Sequence, residues 1–142
     1  MTKIAIAFDE AAWIDWTLDR PRRIAVVGLS NREDRDSHKA SLYLHELGYE
    51  IVPVNPGYSS IMGLKCYPSL HDVPGAVDIV NLFQRPDRVP ASVEAAIVLQ
   101  PKLIWMQLGI VHRQAADQAR KAGIGVVMDR CIKIEHQKKL AN

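Results

Sequence analysis

Short, nearly continuous apolar runs alternate along this chain with stretches of helical periodicity. Five runs read as strands: residues 23–28, 49–54, 77–83, 103–107 and 125–128. Their apolar residues come in nearly continuous blocks without strict polar alternation, which is the pattern of strands buried on both faces of a parallel sheet. Residues 64–67 add a candidate sixth strand. Between the runs, Ala40, Tyr43, Leu44 and Leu47 recur at helical spacing, with Gly48 as a stop. Val89, Val93, Ala96 and Ile97 repeat that spacing with Pro90 in the first turn. Ala115, Ala119 and Ala122 do so again before Gly123. A leading helix over 9–19 is expected to turn Ala11, Ile14 and Leu18 to one side, and residues 132–140 to form a closing helix. Strands alternating with helices over short connections predict an α/β, Rossmann-like fold: a mainly parallel sheet of five or six strands with helices on both faces. Residues 1–142 read as a single domain, with residues 1–20 as a leading helical extension.

Composition narrows the class. The 142 residues are 48% hydrophobic and 24% charged, a globular profile. No apolar run approaches the roughly 18 residues of a membrane helix. The first eight residues carry only Lys3 before Asp9 and Glu10, a poor signal peptide, so a cytoplasmic location is expected. Net charge is +2, and Lys and Arg are dispersed except at residues 20–23 and at Lys138 and Lys139. That is not the dense basic stripe of a nucleic-acid protein. Cys66 and Cys131 read as reduced thiols; there is no CxxC pair, and His38, His45, His71 and His136 lack metal-ligand spacing.

In an open parallel sheet, ligands bind at the carboxyl ends of the strands near the switch point. The first such loop, residues 28–39, runs from Gly28 into a helix beginning near Ser37. A helix N-terminus after a strand presents free N–H groups and a positive dipole end to an anion. Ser30 and Ser37 add hydroxyls, and Arg32, Arg35 and Lys39 add positive charge, so the segment reads as a phosphate-binding loop. A solvated charged turn is the other reading. The dinucleotide fingerprint is absent, because Ser30 and Glu33 occupy two of its glycine positions, and no Walker A loop is present. The second strand ends in Val54, Asn55, Pro56 and Gly57, with no acid for a ribose, which disfavours NAD. Asn55, Pro56 and Gly57 read as a turn, either a plain connection or a rigid wall for a flat base. Arg85 is within phosphate reach, Phe83 and Trp105 read as packing, Gln107 is a polar group at a strand end, and Gly109 permits close backbone approach. His112 reads as a helix cap or a base. Cys131 reads as an apolar filler or a thiol near a helix N-terminus.

The chain resembles the stand-alone CoA-binding proteins of bacteria and archaea, relatives of the N-terminal CoA-binding domain of the succinyl-CoA synthetase alpha subunit. The resemblance is carried by residues 24–30 (Ile-Ala-Val-Val-Gly-Leu-Ser), 48–56 (Gly-Tyr-Glu-Ile-Val-Pro-Val-Asn-Pro) and 63–70 (Gly-Leu-Lys-Cys-Tyr-Pro-Ser-Leu). Residues 77–83 (Val-Asp-Ile-Val-Asn-Leu-Phe), 105–109 (Trp-Met-Gln-Leu-Gly) and 126–131 (Val-Val-Met-Asp-Arg-Cys) complete it. It implies coenzyme A held across the carboxyl ends of the strands, with Gly28, Ser30, Asn31, Arg35, Ser37 and Lys39 at the phosphates. It places Val54, Asn55 and Pro56 along the adenosine, Phe83 and Arg85 in the middle, and Gln107 and Gly109 at the pantetheine arm. Gln84 departs from the family pattern, in which a second basic residue or the arginine itself often follows the phenylalanine. The synthetases use further domains and a phosphorylated histidine, so the resemblance implies a binding site and not a ligase mechanism. Three functions follow: a CoA or acyl-CoA binding, carrier or sensor module, with a protein partner left open; a small acyl-CoA or CoA-thiol enzyme using Cys131 or His112; or an NAD or other nucleotide binder. No membrane or nucleic-acid partner is expected.

Overall fold

The computed structural model describes residues 9–142, so the expectations for residues 1–8, including the first part of the leading extension, lie outside the described residues. In chain order the elements are α1 (Glu10–Leu18), β1 (Arg23–Val27), α2 (Asp36–Glu46), β2 (Glu50–Val54), β3 (Ser60–Ile61), β4 (Leu64–Lys65), β5 (Ile79–Leu82), α3 (Val89–Leu99), β6 (Leu103–Met106), α4 (Arg113–Lys121), β7 (Gly125–Val127) and α5 (Ile132–Ala141). The five apolar runs form one sheet in the order β2-β1-β5-β6-β7, every neighbouring pair parallel. The candidate sixth strand does not join it. Leu64 and Lys65 pair antiparallel with Ser60 and Ile61 in a separate hairpin, and Tyr67 makes only a single bridge to Val54. Met62 and Gly63, both at positive φ, turn the chain back too soon for a longer strand.

Alternate residues of each strand enter two cores, one per face. Val27, Val54, Val80, Leu82, Ile104 and Met106 face α3 and α4. Ile24, Val26, Ile51, Ile79, Leu103 and Trp105 face α1, α2 and α5. This two-sided burial is why the strands lack polar alternation. The helix spacings hold with edge corrections. Leu47 and Ala122 are exposed, because α2 and α4 end one residue before them at Glu46 and Lys121.

The leading helix exists, but its buried face is corrected. Trp13, Thr17 and Leu18 are buried, Ile14 is half-buried and Ala11 faces water. The reason lies on β7, where a Cβ on Gly125 would fall 2.2 Å from the Trp13 ring. The indole occupies the space of the missing side chain, so the bulkiest residue of α1 sets the helix rotation. Asp9 caps α1 through the Ala12 N–H at 3.0 Å. The Tyr49 hydroxyl donates to the Thr17 carbonyl at 2.7 Å, and burial pushes that phenol up to about 12 against the opposing effect of Arg22. No helix among the described residues is long and apolar enough to cross a membrane.

Gly125→Ala is expected to destabilise the protein by about 1–3 kcal/mol, the usual cost of overpacking. In a Trp13→Leu background the same change should cost clearly less. Urea midpoints of the four proteins decide it; equal costs in both backgrounds would refute the steric account.

Candidate functional site

The strand order reverses direction at the β1–β5 boundary, and the loops leaving these strands part there. Gly28 sits at this point with φ of +84°, and a Cβ on it would lie 2.3 Å from the Phe83 carbonyl oxygen. Its N–H donates to the Val54 carbonyl and the Phe83 N–H donates to the Val27 carbonyl, each at 2.9 Å. Three strand ends are thus drawn together around a residue with no side chain.

Above this floor lies a cleft of about 960 Å³. Of the residues singled out in the sequence, Gly28, Ser30, Arg32, Arg35, Ser37, Lys39, Phe83, Arg85 and Gln107 line it, as does Cys131. On the β2 side a smaller hollow of about 490 Å³ is bordered by Val54, Asn55 and Pro56. Both share Gly28, Phe83 and Gln84, so one groove crosses the carboxyl edge of the sheet. Asn31 is exposed on the first loop and Gly109 lies beyond β6; neither lines the groove.

The first loop is tied down from within. Ser37 Oγ accepts the Ser30 N–H at 3.0 Å, and Ser30 Oγ accepts the Arg32 N–H at 3.1 Å. Both hydroxyls are acceptors here, so each keeps its proton to donate. His38 Nδ1 lies 2.9 Å from the Ser30 carbonyl oxygen and must carry the proton, since a carbonyl only accepts. No side chain caps the α2 N-terminus, where Arg35 holds the capping position. Its first-turn N–H groups and dipole therefore face the cleft unsatisfied by the protein's own side chains. Arg32 pairs with Asp34 at 3.1 Å and Arg85 with Asp87 at 3.2 Å, both in exposed settings. Arg35 and Lys39 pair with no carboxylate among the described residues. Asp36 is the one carboxylate in the lining. Lys133, also in the lining, pairs with no carboxylate among the described residues either, so three cations without carboxylate partners stand around an uncapped helix N-terminus, chemistry that suits an anion.

Other polar candidates hold the frame. Asn55 Oδ1 accepts the Gly57 N–H at 2.9 Å and its Nδ2 donates to the Leu29 carbonyl at 3.0 Å, joining the β2 turn to the β1 loop. Gln107 is only 2% exposed. Its Nε2 donates to Asn81 Oδ1 at 2.6 Å and its Oε1 accepts the Ile132 N–H at 3.3 Å, which caps α5. The Gly109 N–H donates to Asp129 Oδ1 at 2.7 Å. His112 Nδ1 accepts the Ala115 N–H at 3.1 Å, the cap reading, and the residue lies outside the lining. Cys66 is buried, its Sγ donating to the Asn55 carbonyl at 3.4 Å, and burial pushes its thiol up.

The sequence reading missed one wall. Lys133, Ile134 and Gln137 of α5 line the cleft opposite α2. Their i, i+1, i+4 spacing was a visible signal, but a helix after the last strand was read only as a closing element. Tyr58 and Gln84, within the strand-end segments after β2 and β5, also line the cleft; the Gln84 amide oxygen accepts from the Ser92 hydroxyl on α3. Behind the cleft, the Tyr43 hydroxyl bonds His136 Nδ1 at 2.7 Å, pinning α2 to α5. Burial lowers the His136 titration, and Lys139 lowers it further.

A sequence model of the CoA binding domain family matches residues 22–137. The chain is 42% identical over 119 residues to the uncharacterised protein YneT of Bacillus subtilis, covering 84% of this chain and 88% of that protein. It is 26% identical over 122 residues to an ADP-forming acetate–CoA ligase I of Archaeoglobus fulgidus, covering 79% of this chain but 18% of the ligase. A hypothetical protein of Pyrococcus horikoshii OT3 superimposes with a TM-score of 0.85 at 36% identity, over 99% of this chain and 93% of that one.

The fold keeps His136 neutral to a lower pH than the unfolded chain does. As pH falls below the ordinary value near 6.5, the unfolded chain protonates first, so this stabilisation is full above that value and lost below it. Stability of the wild type minus that of a His136→Phe variant should therefore shrink between about pH 7.5 and 5.5. Urea midpoints across that window test it, and a flat difference would exonerate His136.

Proposed function

This chain belongs to the CoA-binding domain family, and from that premise we propose that its groove binds coenzyme A or an acyl-CoA, as a binding, carrier or sensor module. The observation that carries the reading is the uncapped α2 N-terminus with Arg35 and Lys39 in the lining of the larger cleft, which meets the β2-side hollow at Gly28, Phe83 and Gln84. CoA has the matching build: a charged pyrophosphate between an adenosine and a long, weakly polar arm. In this reading the phosphates meet the first-loop amides, the Ser30 and Ser37 hydroxyls and the two cations. The adenosine lies toward Val54, Asn55 and Pro56. The arm passes Phe83 and Gln84 toward the end of β6. The cleft volume falls within the range of small-ligand sites.

Two features favour this over the other readings. At the end of β2 the only polar side chain is Asn55, already engaged at both its amide atoms, so nothing there recognises a ribose diol as NAD requires. Of the side chains offered for catalysis, His112 caps α4 and only Cys131 lines the cleft.

Calorimetry and thermal shift with CoA, NAD and ATP test the proposal. CoA should bind most tightly and stabilise by about 2.7 kcal/mol at a hundredfold excess over its dissociation constant. Lys39→Glu should weaken CoA binding by about 1–3 kcal/mol, as expected for a lost charge-assisted contact. Tighter binding of NAD, or unchanged CoA affinity in the variant, would contradict the assignment of ligand or of Lys39 respectively.

A further inference from the structure

We infer that the groove is built for a CoA thioester bearing an apolar acyl chain, in preference to the free thiol; this rests on the CoA reading above and names the form of the ligand. The strand order sets the direction of the bound molecule. With adenosine on the β2 side and phosphates at the β1–α2 loop, the pantetheine arm leads over β5 to the end of β6. The start of α5 lies beside that strand end, joined to it by the Ile132 N–H on Gln107 Oε1 and by the Trp105 Nε1–H on the Arg130 carbonyl at 2.8 Å.

The lining there changes character. Leu108 and Ile110 follow β6, Cys131 holds the N-cap of α5, and Ile134 stands on α5 between Lys133 and Gln137, whose stems and polar tips frame it. Leu108 is 64% exposed and Ile134 is 42% exposed. A single exposed leucine means nothing. Here two large apolar side chains, from separate elements joined by hydrogen bonds, stay open to water in one cleft, at the end where the arm must terminate. A thiol is too small to cover them, whereas an acyl chain continuing from the sulfur would remove both from water. The occupant follows from continuity with the anion site: an apolar chain tethered to a nucleotide. The inference concerns binding alone, so no bond forms or breaks.

The test is calorimetric titration of the full chain with CoA and with acetyl-, butanoyl-, hexanoyl- and octanoyl-CoA. Affinity relative to CoA should rise with chain length, by up to about fourfold per methylene buried and at least about tenfold by hexanoyl. In the double variant Leu108→Ser and Ile134→Ser, the hexanoyl-to-CoA ratio should fall toward one; circular dichroism checks its folding. The wild-type series stands independently of that variant. CoA binding with a flat or falling ratio in the wild type overturns the inference and leaves the CoA reading intact. A rising ratio that persists in the double variant overturns it too, by placing the chain elsewhere. No binding of any member removes both.

Discussion

Everything at the site depends on the close approach of the Phe83 carbonyl to Gly28. Any Cβ at that position would lie 2.3 Å from the oxygen, and the backbone there is in the left-handed region. A side chain would have to push the ends of β1 and β5 apart at the one place where the strand order reverses. The Gly28 and Phe83 N–H groups also complete the ladder to β2 and β1, so displacement would cost backbone hydrogen bonds on both sides. The groove floor is therefore backbone, and both hollows open from it. A backbone floor lets a ligand approach closely and leaves recognition to the walls.

The walls rest on polar links wholly or partly removed from water. Gln107 ties β5, β6 and α5 together, and Asn55 ties the β1 and β2 loops. Tyr43 and His136 join α2 to α5 behind the cleft. Each link satisfies polar groups that would otherwise be costly to bury. Together they hold the cationic face of α2 and the mixed apolar face of α5 on opposite sides of one opening.

Much of this architecture was legible because two-sided burial leaves strands with no polar alternation, and the five runs were therefore distinct. What failed to show was anything decided by a partner distant in sequence. The rotation of α1 follows from Trp13 filling the space over Gly125, a pairing no local period reveals. The fragment at Leu64 and Lys65 is apolar enough for a strand, yet the turn at Met62 and Gly63 folds it into a hairpin. Within the site, the loops were located by the rule of strand ends, while the α5 wall was not, because that rule does not reach the helix after the last strand. Asn81 carried a usable signal: it is the polar residue at the centre of the apolar stretch 79–83, and it proves to be the partner of Gln107.

Residue type announces polar chemistry but not its direction. Gln107, Asn55 and His112 all sit in strand-end segments where a ligand contact or a catalytic role is a fair expectation, and each is engaged by the protein's own backbone or side chains. What remains directed outward is of a different kind: uncapped backbone N–H groups, two serine protons, the Arg35, Lys39 and Lys133 cations without carboxylate partners, and apolar surface. That inventory suits the proposed ligand, a phosphorylated molecule with an uncharged part to lay against the protein. The division between inward and outward polar groups is the physical basis for reading the groove as a place where a ligand is held.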